Sequence, residues 1–245
     1  GSTGDGYAIA EALGHAVSPP RPSLVPLVCA GDDCAALQGL SLRNVRLTAR
    51  ADGKRIFSEQ GEMLFTHFGI SGPLALTLSA ALVSADAAAA QLSVDLKPAL
   101  DEKTLDKRLQ RDFAQQSNRE FKNSLDALLP KKLIPVIVAR SGIGPQKKIN
   151  AVTAQERRSL ARLLKDFTLD AMGFRSFDEA VVTAGGVSLR EVSPKTMESK
   201  RIHNLHFAGE LLDADALTGG FNLGIAFATG RAAGVHILEC GEETV

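Results

Sequence analysis

The sequence predicts a mixed α/β protein, α+β overall, in which one domain is interrupted by an inserted one. Three observations carry this. Strand-like runs punctuated by glycine occur towards the C-terminus, and a glycine-rich turn opens the chain. Short β-type runs separated by turn signals fill residues 23–100. From Asp101 to Phe167 the apolar residues recur at helical spacing.

Gly4-Asp5-Gly6 reads as a turn and helix entry, with Tyr7, Ile9, Ala10 and Leu13 on the helix and Gly14 as its stop. Ser18-Pro19-Pro20-Arg21-Pro22 reads as an extended, proline-dense link. Strand-like runs follow at Leu24–Cys29, Leu40–Ala49 and Arg55–Glu59, with Asp52-Gly53 as a hairpin turn between the last two. Pro73 stands at the start of an apolar helix over Leu74–Leu82. Gln91–Leu96 alternates and reads as a further strand.

The helical block is marked by Leu105, Leu109 and Phe113, by Phe121, Leu125, Leu128 and Leu129, by Leu133–Ala139, and by Leu160, Leu163 and Leu164. Strands return at Glu179–Thr183, Val187–Val192 and Leu205–Ala208. Boundaries therefore fall near Pro22 and Gly173. Residues 1–22 and 174–245 form parts of one domain. Residues 23–173 form the insert, with 23–100 mainly strands and 101–173 mainly helices. Splitting a domain this way costs little, because closure entropy grows slowly with insert length.

Composition narrows the function. Apolar residues make up 44% and charged residues 23% of the 245, enough for a packed core. The formal net charge is zero and the pI about 7.1, which argues against nucleic acid or an anionic membrane as partner. The basic pairs Lys107-Arg108, Lys131-Lys132, Lys147-Lys148 and Arg157-Arg158 stand among acids and read as a solvated helical face; a nucleic-acid patch is the alternative. No run is apolar enough to span a membrane, and no signal peptide is visible. Cys29, Cys34 and Cys240 are odd in number and irregular in spacing, as expected of reduced thiols in a cytoplasmic protein.

The most informative stretch runs from His206 to Gly230. A strand-like run ends at Gly209-Glu210, and a loop carrying Asp213 and Asp215 follows. Thr218-Gly219-Gly220 then opens a small-residue helix from about Asn222 to Leu238. Glycines allow close backbone approach, and the N–H groups of a first helical turn suit an anionic or electron-rich ligand. His67, in Thr66-His67-Phe68-Gly69-Ile70-Ser71-Gly72-Pro73, is a residue type suited to proton transfer; a hydrogen bond holding that turn is its other reading. His203-x2-His206 does not put both rings on one strand face, so no metal site is expected.

The stretch resembles the C-terminal FAD-contacting motif of two-dinucleotide-fold flavoproteins. It is most similar to the BaiN-like (YhiN-like) family of bacterial flavoproteins, some labelled aminoacetone oxidase-like. Gly1-Ser2-Thr3-Gly4-Asp5-Gly6-Tyr7, Thr66 to Pro73, and Val182-Thr183-Ala184-Gly185-Gly186-Val187 with Thr196-Met197-Glu198-Ser199-Lys200 resemble that family's motifs in the same order. The resemblance implies the C-terminal part of an FAD/NAD(P)-binding dinucleotide fold carrying a strand-rich insert with a helical subdomain. It also implies an upstream β-α-β unit of about 150 residues with the G-x-G-x-x-G fingerprint. That fingerprint is not found in this sequence. The chain therefore reads as beginning mid-domain, although Gly1-Ser2 also reads as a remnant of tag removal.

The implied cofactor is FAD, with NAD(P)H as a candidate electron donor. Glu210, after Gly209, would hold the ribityl hydroxyls. Gly219, Gly220, Phe221 and Asn222 would approach the pyrimidine side of the ring, with Asp213 in the loop between. Thr183, Gly185 and Gly186 would line the flavin, and Thr3, Asp5 and Gly6 would meet it from the first helix entry. Phe221 stands where the family usually has Tyr, and Ala216 where it often has Gly. The expected function is flavin-mediated redox of a small organic substrate, the chain alone being inactive. The alternative is a flavin-free binding domain derived from the same fold.

Overall fold

A computed structural model describes residues 3–85, 87 and 89–242. Gly1 and Ser2, from the first quoted motif, lie outside the described residues. The elements in chain order begin with α1 (Asp5–Ala12), β1 (Val17–Ser23), β2 (Leu27–Cys29), α2 (Asp33–Ala36), β3 (Ser41–Ala51), β4 (Lys54–Phe65) and β5 (Gly69–Ser71). Then come α3 (Pro73–Ser84), β6 (Ala90–Asp95), α4 (Glu102–Ala114), α5 (Ile134–Ser141), α6 (Ala154–Lys165) and β7 (Phe167–Phe174). The last are β8 (Val182–Val187) and α7 (Phe221–Glu242). Two compact units result: Gly1–Val25 with Arg175–Val245, and Pro26–Phe174. The first is called the split unit here and the second the barrel unit.

In the barrel unit, six strands close in the order β2-β5-β4-β3-β6-β7, every neighbouring pair antiparallel. Closure removes sheet edges and lets alternate residues fill the interior. Leu47, Phe65, Ile70, Leu92 and Phe167 are fully buried there. The β3–β4 turn is Asp52-Gly53, with both residues at positive φ (49° and 73°), as a two-residue hairpin of this hand requires. The motif from Thr66 to Pro73 makes the tightest closure. A Cβ on Gly69 would lie 2.1 Å from the Leu27 carbonyl oxygen, so only glycine lets β5 reach β2. The Thr66 hydroxyl accepts from the Gly69 N–H at 3.1 Å and holds that turn.

The helical part packs on the same core. Asp101 caps α4, its carboxylate accepting from the Thr104 N–H. Thr153 and Glu156 form a capping box on α6. Residues 121–129 form a 3-10 turn and irregular turns where the spacing suggests helix; Phe121, Leu125 and Leu129 are buried all the same.

Three sequence expectations are corrected. Residues 167–173 are assigned above to the helical block, but β7 is a strand with Phe167, Leu169 and Ala171 facing in, and it closes the barrel. The proline-dense link is strand β1, which tolerates prolines because it pairs with β8 alone in a two-stranded sheet and carries a register shift between Ser18 and Arg21. Beyond Val187, which ends β8, neither the run to Val192 nor Leu205–Ala208 is a strand. After β8 the chain turns through a 3-10 helix over Leu189–Glu191, and Leu205–Ala208 keeps one isolated bridge, His206 opposite Glu198. A single bridge suffices there because 198–206 folds back on itself, Ser199 N–H donating to Leu205 O and Phe207 N–H to Met197 O.

The split unit has a small core of Ala10, Val187, Val192, Met197, Phe207, Leu212 and Ala233. Its longest element, α7, leaves Phe221, Leu223, Phe227, Ile237 and Leu238 exposed, Phe227 at 75%. No helix among the described residues is long and apolar enough to cross a membrane.

Candidate functional site

The split unit contains a cavity of about 820 Å³. The entry to α1 forms one wall with Thr3, Gly4, Gly6 and Tyr7; β8 contributes Thr183; Glu210 and Leu211 form another, and Phe177 and Asp178 rim it. Gly4 precedes α1 at φ 81°, a left-handed turn that glycine adopts without strain. Gly6 lets the helix approach Leu211, whose Cδ1 would lie 3.0 Å from an added Cβ.

Glu210 stands exposed in a 3-10 turn, Gly209–Leu211. The Tyr7 hydroxyl donates to the Glu210 carbonyl oxygen at 2.9 Å and ties that turn to α1. Burial, and then the nearby Glu210 carboxylate, raise the Tyr7 phenol above its ordinary range. It therefore stays protonated, a donor across the working pH range. Tyr7 and Asp178 are absent from the cofactor-site residues expected from the sequence. Tyr7 could be noticed there, being the single tyrosine of the chain and within a quoted motif.

Of the expected cofactor residues, Thr3, Gly6, Thr183 and Glu210 meet around this cavity, and Asp5 lies exposed in the first turn of α1. Gly209, at φ 67°, donates its N–H to the Thr229 hydroxyl on α7 at 3.0 Å. Asp213 accepts from the Ser18 hydroxyl at 2.7 Å, and its N–H reaches the Val187 carbonyl at 2.9 Å, so it fastens the loop to the sheet. The Asn222 side chain makes a two-way amide pair with Ala216, accepting at 2.8 Å and donating at 2.7 Å; it closes the loop before α7. Gly219 and Gly220 enter α7 at φ 116° and 85°, and nothing lies within 4 Å of a Cβ placed on Gly220. Phe221 is largely exposed.

Gly185 and Gly186 have a backbone reason to be glycine. A Cβ would come within 2.5 Å of Pro19 O at the first and 2.6 Å of Leu211 O at the second. The Thr196–Lys200 motif is likewise architectural. The Ser199 hydroxyl accepts from the N–H groups of Arg201 and Ile202 and bonds buried His15 at 3.0 Å. The other His15 nitrogen bonds Glu191 at 2.9 Å. The Ala16 N–H first, and the His15 and Arg201 contacts besides, hold the Glu191 carboxyl below its ordinary range. His67 belongs to the barrel unit, is exposed, and packs edge-on against Phe68 with ring centroids 5.0 Å apart.

These residues fit one end of a flavin. A carboxylate acceptor and a strand hydroxyl on one cavity suit ribityl hydroxyls, whereas Gly219, Gly220, Phe221 and Asn222 at the entry to α7 do not line it. They offer no glycine fingerprint for a pyrophosphate.

Comparison with known proteins gives the family. Residues 21–182 match the family described as "HI0933-like protein barrel and H2TH domain". The chain is 32% identical over 96% of its length to a 3-dehydro-bile acid delta(4,6)-reductase of Clostridium scindens. It is 33% identical over 97% of its length to a ribosomal RNA dihydrouridine synthase of Haemophilus influenzae, and 30% identical over 97% to one of Escherichia coli. It spans 58%, 56% and 57% of those relatives' lengths. The family match covers well over half the chain, which belongs to the HI0933-like family, in keeping with the BaiN-like resemblance of its motifs.

Proposed function

We propose that this chain is part of an FAD-dependent oxidoreductase that adds hydrogen across an activated carbon–carbon double bond of a small organic substrate. The carrying observation is the convergence of Thr3, Tyr7, Thr183 and Glu210 on one cavity. Two differently named relatives support the reaction type. A delta(4,6)-reductase and a dihydrouridine synthase both yield a more saturated product. The flavin, when bound, would supply the hydride to one carbon, and the proton for the other would come from solvent. Glu210 would accept from ribityl hydroxyls, Thr183 would bond the cofactor's polar edge, and the first turn of α7 would favour negative charge on the ring. Tyr7 holds the Glu210 turn in place. NAD(P)H is the candidate electron donor.

The apolar face of α7 supports a further part of the reading: in the whole protein it packs against segments that the relatives' greater length supplies. The cytoplasmic setting is part of the same proposal. Denaturing the whole protein and measuring released flavin tests it. One FAD per chain is expected, and absence of flavin would leave the flavin-free binding domain.

A second reading concerns the substrate. Charge is segregated although the net is zero: residues 97–165 hold sixteen Lys and Arg against seven Asp and Glu. Lys103, Lys107, Lys131, Lys148 and Arg158 are exposed there. Such an excess suits a polyanion, and two relatives are named for ribosomal RNA. RNA binding that weakens steeply with salt would support RNA as substrate; none at low salt would leave the small molecule.

A further inference from the structure

The fold builds a side-chain cluster that sequence spacing does not show. Glu198 and His206 face each other across the isolated bridge in the 198–206 turnback. His236 reaches them from α7. It stands three residues after buried Ala233, on the face that meets Phe207 and the small core. His206 Nε2 lies 3.0 Å from His236 Nδ1, and the rings are tilted by 53° with centroids 5.3 Å apart. Glu198 Oε2 lies 4.0 Å from His236 Nε2. One nitrogen of each histidine and one carboxylate oxygen gather within 4.8 Å of one another, and all three residues are half-buried.

The carboxylate is held in place from behind. Its Oε1 accepts from the Asn204 N–H at 2.9 Å and contacts His203 Nδ1 at 2.9 Å, which leaves Oε2 turned towards the histidine pair. A group behind a ligand that fixes its orientation is what well-formed metal sites use.

We propose that Glu198, His206 and His236 form a binding site for a divalent transition-metal ion of the zinc class. Two imidazoles and a carboxylate are a donor set for Zn²⁺, with bonds of about 2.0–2.2 Å and ligand atoms about 3.3 Å apart in a tetrahedron. The observed 3.0 Å between the histidine nitrogens is already close to that. The carboxylate oxygen gathers within 4.8 Å of the histidine nitrogens and needs a shift of up to about 1.5 Å, within the reach of a Glu side chain. His203 is a positioning residue for Glu198. The ion would clamp the C-terminal half of α7 to the 198–206 turnback, two segments otherwise joined through few buried side chains. This inference is independent of the flavin reading.

The test is calorimetric titration of ZnCl₂ into chelator-stripped full-length protein, with thermal unfolding measured in parallel. We expect one Zn²⁺ per chain, a micromolar or tighter Kd, and a higher unfolding midpoint with zinc. His206→Gln and His236→Gln should each weaken binding at least about tenfold and abolish the zinc-dependent shift, while their zinc-free melting stays close to wild type. Should either histidine variant misfold, Glu198→Gln carries the same expectation. His67→Gln, in the barrel unit, should bind zinc like wild type. Absence of saturable binding below about 1 mM Zn²⁺, or wild-type affinity in all three ligand variants, would overturn the proposal.

Discussion

The two units of this chain are built to different standards of completeness. The barrel unit buries forty apolar side chains in one continuous cluster among its described residues, with every barrel strand paired on both sides. The split unit gathers seven into its cluster and buries Leu24, Val25, Val182 and Ala184 besides; it pairs two strands and exposes much of the apolar surface of a 22-residue helix, all among the described residues. Burial of apolar area is the main favourable contribution to folding, at about 25 cal/mol per Å². The first unit therefore holds the larger share of that contribution, and the exposed face of α7 supports the proposal that the second is covered in a longer protein. The contrast bears on the proposed site: the cavity lined by Thr3, Tyr7, Thr183 and Glu210 belongs to the unit with the smaller core.

Substitutions can break or sharpen that contrast. Phe65→Ala, at a fully buried barrel position, should cost about 3–5 kcal/mol and collapse the barrel unit's unfolding transition, read by urea titration. In the split unit, Gly186→Ala should cost about 2 kcal/mol or more, because its Cβ would meet Leu211 O at 2.6 Å and its φ is 131°. Circular dichroism and partial proteolysis would place that damage outside the barrel. Thr153→Ala removes the α6 cap and should cost about 1 kcal/mol, confined to the barrel unit.

The barrel unit should also carry an acid response. The Lys147 ammonium first, and the Thr153 N–H next, depress the Glu156 carboxyl from 4.5 to about 2. A depressed carboxylate stabilises the fold above its unfolded value and loses that contribution as pH falls through the folded one. Stability should therefore decline between about pH 4.5 and 2, and Glu156→Gln should flatten that decline in acid titrations. Smallest of all, Phe227→Ala should change the stability of this 245-residue chain by no more than about 0.5 kcal/mol, because the ring is already exposed. In the longer protein the same change should destabilise strongly. Equal effects in both would break the view that α7 is made to be covered.

Much of the fold was legible because the local signals agree with it. Asp52-Gly53 marks the hairpin, Pro73 the start of α3, and the Leu105, Leu109, Phe113 spacing the buried face of α4. What was not legible depends on partners distant in sequence. β7 is a strand because β2 and β6 flank it, although it directly follows α6. The prolines of β1 hide a strand that only β8 reveals. The site divides in the same way. Glu210 and Thr183 could be singled out from motifs, but the sequence gives no sign that Tyr7 fastens the Glu210 turn, or that Asn222 spends its amide on Ala216. His206 and His236 are thirty positions apart and meet only through the packing of α7.

The most direct test of the central claim is the flavin content of the whole protein that carries this chain, measured beside its Glu210→Ala variant. The account predicts one FAD per wild-type chain, and FAD binding at least about tenfold weaker in the variant, from the loss of charge-assisted bonds. Wild-type protein without flavin, or Glu210→Ala binding FAD as tightly as wild type, would contradict it.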